Sequence, residues 1–330
     1  MYSDKSLSER VDKFLRLAGR RYAFPPRDIS IELSTLCDSS CGMCFRNVLA
    51  FNRGTMPLEV FKRITARLKE AFRDRGPDYV NFVGLGEVLL NPELLPILRH
   101  FKEVFSDSKA NISTNLLHFD ESLFTAILDE GLADRISVSV DDTEDCGMFY
   151  HGDAGAVAAA IESLTRLNAA AARPAGLRLQ AVMISKDQTL RVIGLAARCG
   201  ARIVNLNRLT QHAVPPEKRI VRPSVEQEKE ILRCARETSA PLGIEVWNNN
   251  TFNIFMNLAS AGDRFCLITD DHLFIDVNGR ALPCFCLRGQ AWGSLLTESL
   301  AELYARKPDF YSLQPSVCGG CDVYKKAHHN

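Results

Sequence analysis

No stretch of this 330-residue chain comes near the ~18 consecutive apolar residues needed to cross a bilayer. Residues 1 to 21 are charged throughout and contain no apolar signal core. A transmembrane segment and a secretory signal are therefore not expected, and a cytoplasmic location is. Net charge is also lacking, because 40 Lys and Arg balance 40 Asp and Glu. Binding to nucleic acid or to a membrane surface draws on an excess of basic residues. Only local groups such as Arg16, Arg20, Arg21 and Arg27 offer one, so neither partner is expected. The chain has no low-complexity tract, and its only repeat is an alternation of strand-like and helix-like segments. With 46% hydrophobic and 24% charged residues it has the composition of a globular protein. Its length suits two domains of about 150 residues, or one large barrel with an appendage.

Cysteine is plentiful. Eleven occur, at 37, 41, 44, 146, 199, 234, 266, 284, 286, 318 and 321. A chain this long needs no disulfide staples, so in a reducing compartment such residues point to metal binding or redox chemistry. Three cysteines lie within eight residues near the start, and five fall in the last 65. At this cysteine content a given three-cysteine spacing arises by chance about 0.01 times per chain, and one C-x-x-C about 0.4 times. The early group is therefore the specific signal, and two metal sites are expected.

Hydrophobic periodicity predicts strands over 30–36, 79–84, 110–114, 135–141, 177–184 and 202–207. Helices are predicted over 58–73, 92–104, 121–130, 153–168 and 188–199. Six strands alternating with helices imply a parallel sheet, two short of a closed barrel. The fold class read from the sequence is α/β, a partial (β/α)6 TIM-like barrel. A helix over 224–239 follows, then a short strand near 243–247 and a hairpin running from His272 to Cys284 through Asn278-Gly279. The expected organisation is a helical extension over 1–24, the barrel over 25–215, a connecting helix over 216–240 and a small hairpin-and-helix domain over 241–330.

Cys37, Cys41 and Cys44 follow the first strand with C-x3-C-x2-C spacing. Three neighbouring thiolates can hold one cubane iron-sulfur cluster and leave one iron open, whereas a structural zinc needs a fourth ligand from elsewhere. The segment from Glu32 to Cys44, with Met43 before the third cysteine, resembles the radical S-adenosylmethionine enzymes. The resemblance implies a [4Fe-4S] cluster whose open iron is chelated by the amino and carboxylate groups of S-adenosylmethionine. In that family one electron cleaves the cofactor to a 5'-deoxyadenosyl radical, which takes a hydrogen atom from substrate. Gly84-Leu85-Gly86-Glu87 is similar to the family's Gly-Gly-Glu-Pro segment, with Leu85 and Val88 as departures. Ser113-Thr114-Asn115 is similar to Thr-Asn-Gly with Leu116 in place of the glycine, and Ser139-Val140-Asp141 to Ser-Ile-Asp-Gly. Cofactor binding is accordingly implied for Gly86, Glu87, Ser113, Asn115, Ser139 and Asp141.

Cys266, Gly279, Cys284 and the Cys318-x2-Cys321 pair resemble the truncated auxiliary-cluster (twitch, or SPASM-type) domain of the same superfamily. The resemblance implies a second [4Fe-4S] cluster held by Cys266, Cys284, Cys318 and Cys321, so that no iron is left for substrate. A four-cysteine zinc knuckle is the alternative. Cys286 can replace a ligand, donate a hydrogen atom or pack as a small apolar residue. Cys146, in a loop after the fourth strand, is the candidate hydrogen-atom donor, against a plain loop reading. Cys199 and Cys234 read as core filler, and His328 with His329 as solvated tail residues. Trp247 with Asn248, Asn249 and Asn250 can line a polar pocket or form an ordinary turn.

An acceptor cluster beside a substrate radical turns hydrogen abstraction into a net two-electron oxidation. A small polar metabolite is the expected substrate, and a peptide the alternative. Few residues precede the first strand, which tilts this reading toward the small molecule. Epimerisation and, in a different class, a non-enzymatic zinc scaffold are the other readings. The resemblance also implies a reducing partner such as flavodoxin or ferredoxin.

Overall fold

The computed structural model describes residues 24–26, 28–73, 75–142, 154–209, 211, 214, 219–248 and 272–307. Seven parallel strands run in chain order: β1 Asp28–Ile31, β2 Tyr79–Phe82, β3 Lys109–Thr114, β4 Arg135–Ser139, β5 Gly176–Met183, β6 Ile203–Arg208 and β7 Glu245–Asn248. Helices α1 Leu58–Phe72, α2 Leu94–Val104, α3 Glu121–Asp129, α4 Ala154–Ala170, α5 Lys186–Cys199 and α6 Val225–Ser239 connect them. Beyond β7 come β8 His272–Ile275, β9 Arg280–Leu282, β10 Gly293–Ser294 and the short α7 Leu300–Ala305. The full order is β10-β9-β8-β1-β2-β3-β4-β5-β6-β7.

The helices form because their apolar residues recur at helical spacing and their ends are capped. Phe61, Ile64, Thr65 and Leu68 face inward from α1, and Leu94, Ile97, Leu98 and Phe101 from α2. Asp120 and Ser185 cap α3 and α5, and Ser224 with Gln227 forms a capping box on α6. Their apolar stripes pack on one face of the sheet, through Ile29, Ile31, Val80, Phe82, Ile112, Ile136, Val138, Leu179, Val204 and Leu206. The rings of Phe82 and Phe101 meet edge to face at 5.5 Å.

The opposite face of these strands is polar. Register aligns Ser30 with Asn81 and Asn111, Ser113 with Ser137 and Arg178, and Ser139 with Gln180 and Asn205. Arg178 Nε donates to Ser137 Oγ at 2.6 Å, and Ser137 Oγ to Asn111 Oδ1 at 2.8 Å. Asn111 Nδ2 donates to Asn81 Oδ1 at 3.1 Å, so hydrogen bonds run unbroken across four strands. A parallel sheet usually buries apolar residues on both faces. This one buries polar residues on the concave side, where they bond to one another.

The sheet extends further than the six expected strands. β7 pairs in parallel with β6, and β8 pairs in parallel with β1, Asp28 opposite His272 and Ser30 opposite Phe274. Ser30 Oγ and His272 Nε2 are 2.8 Å apart. Each of these short segments has an unpaired edge of the six-stranded sheet to join, a long-range pairing that local periodicity does not reveal. β1 is shorter than expected because residues 33–35 turn to pair with 54–56. The expected strand through Cys284 stops at Leu282. Among the described residues no helix is long and apolar enough to cross a membrane.

Candidate functional site

Every parallel strand from β1 to β4 delivers sequence-selected residues to the same sheet edge. After β1, Met56 N donates to Leu33 O at 2.8 Å and Thr35 N to Gly54 O at 2.9 Å. Asn91 Nδ2 donates to Leu33 O and Met56 O, both at 2.9 Å. These bonds close the base of the loop that carries Cys37, Cys41 and Cys44. Within it Cys44 N donates to Cys41 O at 3.1 Å, and Asn47 Nδ2 to Cys41 O at 2.9 Å. All three cysteines are free thiols, partly exposed. Burial pushes the Cys41 thiol up to about 11, against a hydrogen bond with Ser39. Asp141, Cys44 and Cys37 add to the rise through their charge, which places the three sulfurs and Asp141 in one electrostatic neighbourhood.

Gly86 sits where a Cβ would run into the carbonyls of Ser34 and Leu36. Only glycine permits this approach of two backbones. It lets Glu87 N donate to Leu36 O at 2.7 Å, so the loop after β2 is fastened to the cysteine loop. Glu87 itself is buried. Its carboxylate accepts from Leu89 N at 3.1 Å and Asn115 N at 2.8 Å, joining the ends of β2 and β3. Burial raises its pKa to about 7, although these hydrogen bonds pull the other way. Asn115 Nδ2 donates to Asp38 Oδ1 at 2.9 Å, and Asp38 also faces His118 Nδ1 at 3.1 Å. Leu116, which stands where the resemblance has glycine, adopts φ 58° with its N–H on Thr114 Oγ1 at 3.0 Å.

Ser113 Oγ accepts from Gln180 Nε2 at 3.2 Å, and Ser139 lies half-buried in register with Gln180. Asp141 follows β4, with its Oδ1 accepting from Val182 N at 3.0 Å. Burial raises it to about 6. The structure thus brings Cys37, Cys41, Cys44, Gly86, Glu87, Asn115 and Asp141 to one edge, with Ser113 and Ser139 one step down the concave face. Cys146, Cys266, Cys318 and Cys321 lie outside the described residues, as do Asn249, Asn250, His328 and His329. Cys199 is buried at the end of α5, as expected of core filler, whereas Cys234 is half-buried on α6. Trp247 projects from β7 in register with Asn205, and the Arg135 guanidinium lies 5.4 Å from its ring centre.

The hairpin cysteines stand on a turn, not a strand. Leu287 N donates to Cys284 O at 3.2 Å, and the Cys286 side chain hydrogen-bonds that of Cys284, lowering its pKa. Sequence reasoning missed the neighbouring contact. Arg288 forms a buried ion pair with Glu32, Nη1 to Oε2 at 3.0 Å and Nη2 to Oε1 at 2.5 Å. Glu32 Oε1 also accepts from Leu85 N at 2.8 Å. The two residues are 256 positions apart in the chain; Glu32 opens the segment that carries the three cysteines, but Arg288 lies on no recognisable motif, so no local signal marks the pair. Asp38 was missed because it differs in no visible way from other polar loop residues.

No family model and no curated protein sequence matches this chain. Solved structures do. Streptococcus suis SuiB bound to S-adenosylmethionine superposes with a TM-score of 0.71 at 16% identity, over 97% of this chain and 76% of that one. SuiB bound to its precursor peptide SuiA gives 0.70 at 15% identity, over 98% and 78%. The anSMEcpe structure with bound AdoMet gives 0.66 at 17% identity, over 91% and 88%. The fold is that of radical S-adenosylmethionine enzymes. In this chain the cysteine loop follows β1, at the C-terminal edge of the parallel strands, where α/β barrels keep their chemistry.

Proposed function

We propose that this chain is a radical S-adenosylmethionine enzyme that carries out a two-electron oxidation of a polar substrate. The observation that carries the reading is the close packing of the three-cysteine loop, through Gly86, against a strand edge in a fold that holds S-adenosylmethionine elsewhere. Cys37, Cys41 and Cys44 would hold one [4Fe-4S] cluster. Among the described residues no three His, Cys, Asp or Glu side chains converge on a point that would suit a single ion. A cubane needs no such convergence, because each thiolate takes a different iron. When bound, the cluster and S-adenosylmethionine supply a carbon radical that removes a substrate hydrogen.

The protein's part is placement. Gly86 and Glu87 set the loop after β2 against the cysteines, and the neighbouring backbone groups would receive the cofactor's amino group. Ser113, Asn115, Ser139 and Asp141 would bind the rest of the cofactor, with a serine on its ribose. Gln180 and Asn205, in register with Ser139 on β5 and β6, would meet the substrate. Cys284 with Cys266, Cys318 and Cys321 would hold the second cluster as electron acceptor, and flavodoxin or ferredoxin would reduce the first. Cys146 is kept as the hydrogen-atom donor of an epimerase variant of this chemistry.

A peptide substrate is the second reading, favoured by SuiB bound to SuiA and anSMEcpe bound to the Cp18Cys peptide. The small-metabolite reading is favoured by the polar concave face. Anaerobic reconstitution followed by reduction is the test. About eight irons per chain and release of 5'-deoxyadenosine are expected, with both the nucleoside and about four irons lost when Cys37, Cys41 and Cys44 are changed to Ala. Zinc in place of iron, with no nucleoside formed, would refute the proposal. Product mass then separates oxidation, a loss of two hydrogens, from epimerisation.

A further inference from the structure

The loop after β2, Gly84-Leu85-Gly86-Glu87, is held at two of its amides. Glu87 N donates to the main chain at Leu36 O, 2.7 Å away. Leu85 N donates to a side chain, Glu32 Oε1 at 2.8 Å. The first anchor comes with the backbone of the cysteine loop, whereas the second depends on one carboxylate keeping its place. A Cβ on Gly84 would run into the Glu32 side chain, so carboxylate and loop are in direct contact. Leu85 is buried, and a buried donor whose acceptor is withdrawn costs free energy that the loop can recover only by moving.

Arg288 keeps the carboxylate there. It opens the helical turn Arg288–Gln290 and reaches both Glu32 oxygens, Nη1 on Oε2 at 3.0 Å and Nη2 on Oε1 at 2.5 Å. This two-point contact fixes the plane of the carboxylate as well as its position. The Phe51 ring packs on the guanidinium, its centre 5.5 Å from Cζ. Both charged side chains are almost fully buried, 4% and 6% exposed. A pair at this depth adds little stability over apolar residues of similar size, so stability is a poor reason for it. The bonding is also lopsided. Glu32 is bonded through both oxygens, whereas Arg288 Nε is buried without a partner among the described residues. The carboxylate is over-determined and the arginine is not, as suits an arginine that serves to hold that carboxylate.

We propose that Arg288 is a positioning residue for the S-adenosylmethionine site: by clamping Glu32 it holds the Leu85 N–H, and so keeps the loop after β2 in the shape that receives the cofactor's amino group. The inference deepens the function proposed above and rests on it. Its physical content is a population. When only a fraction of molecules carry the loop in its binding shape, the dissociation constant rises by the inverse of that fraction. Loss of the clamp should therefore weaken cofactor binding and leave iron content at the parent's level. A residue 256 positions from Glu32 thus sets how firmly the cofactor is held.

Two double variants of the full chain test it, because both remove the charge pair and they differ in the acceptor left for Leu85 N. Glu32→Gln with Arg288→Met keeps an amide oxygen there; Glu32→Leu with Arg288→Met keeps none. Hydrogen exchange at the Leu85 amide is read by mass spectrometry on iron-free protein. Binding of S-adenosylmethionine is read by equilibrium dialysis on anaerobically reconstituted, unreduced protein, per iron bound. Against the Gln variant, the Leu variant should exchange at least about tenfold faster and bind at least about tenfold more weakly, at a similar urea midpoint. Two variants alike in both readouts, or a loss of binding that only follows the urea midpoint, would mean a merely structural pair and overturn the inference. Arg288→Lys keeps the charge without the two-point grip and should fall between the parent and the Leu variant in both readouts. If it matches the parent, Arg288 is not the clamp and the inference fails, whether or not the double variants fold. A parent that takes up iron and binds no S-adenosylmethionine refutes the function proposed above, whereas a parent that binds it, with like double variants, refutes this inference alone.

Discussion

Gly86 shows how much a missing side chain can decide. Its neighbours Ser34 and Leu36 are backbone carbonyls in a stapled loop, so neither can move aside for a methyl group. Gly86→Ala is expected to cost about 1–3 kcal/mol and to reduce iron uptake, read by urea unfolding and iron assay; an unchanged unfolding midpoint would count against this account. Asp141 offers a pH test. Its pKa is about 6 when folded, against an ordinary 3.8, so between those values the folded protein holds a proton that the unfolded chain has lost. Stability therefore falls as pH rises through that interval. Asp141→Asn lacks this cost and should gain on the parent between pH 4 and 6, by up to about 3 kcal/mol. Thermal unfolding of metal-free protein across that range checks it, and parallel curves would contradict it. At this scale the sequence was uneven. The cysteines and Gly86 could be picked out because each has a stereochemical requirement. Glu87 was picked for its carboxylate, yet the structure shows that carboxylate tying β2 to β3. Leu116 at φ 58° could not be anticipated, because a leucine gives no hint of a left-handed backbone.

The strands were legible as elements because they alternate. Segments such as Asn-Ile-Ser-Thr and Ile-Val-Asn-Leu-Asn place apolar residues toward the helices and polar ones inward. What alternation could not show is partnership across strands. Ser137 links Asn111 and Arg178, and is fully buried. Ser137→Ala removes an acceptor and a donor from inside the sheet and should cost about 1–3 kcal/mol. Ser224→Ala, at the solvent-facing cap of α6, should cost about 1 kcal/mol. Chemical denaturation of the two variants ranks them, and a larger loss at Ser224 would reverse the argument. β7 and β8 are the elements whose placement was missed. Each is only four residues long, and what fixes it is a vacant sheet edge, a property of the other strands.

The molecule as a whole is one ten-stranded sheet among the described residues, and its two cysteine-bearing regions meet across β1 and β8. Removing residues 272–330 takes β8 away and leaves a side of β1 without its ladder. Such a truncated chain should associate through that edge and elute above monomer size in gel filtration; a monomeric, cooperatively unfolding product would show that β1 needs no partner there.

The pairing of β1 with β8 also sets a timetable for synthesis on the ribosome. Roughly 240 residues separate the two strands, so at 5–20 residues per second β1 emerges about 12–50 s before its outer neighbour exists. For that interval the nascent chain carries an open strand flank beside its three-cysteine loop, and the tail that arrives last is the one that closes it.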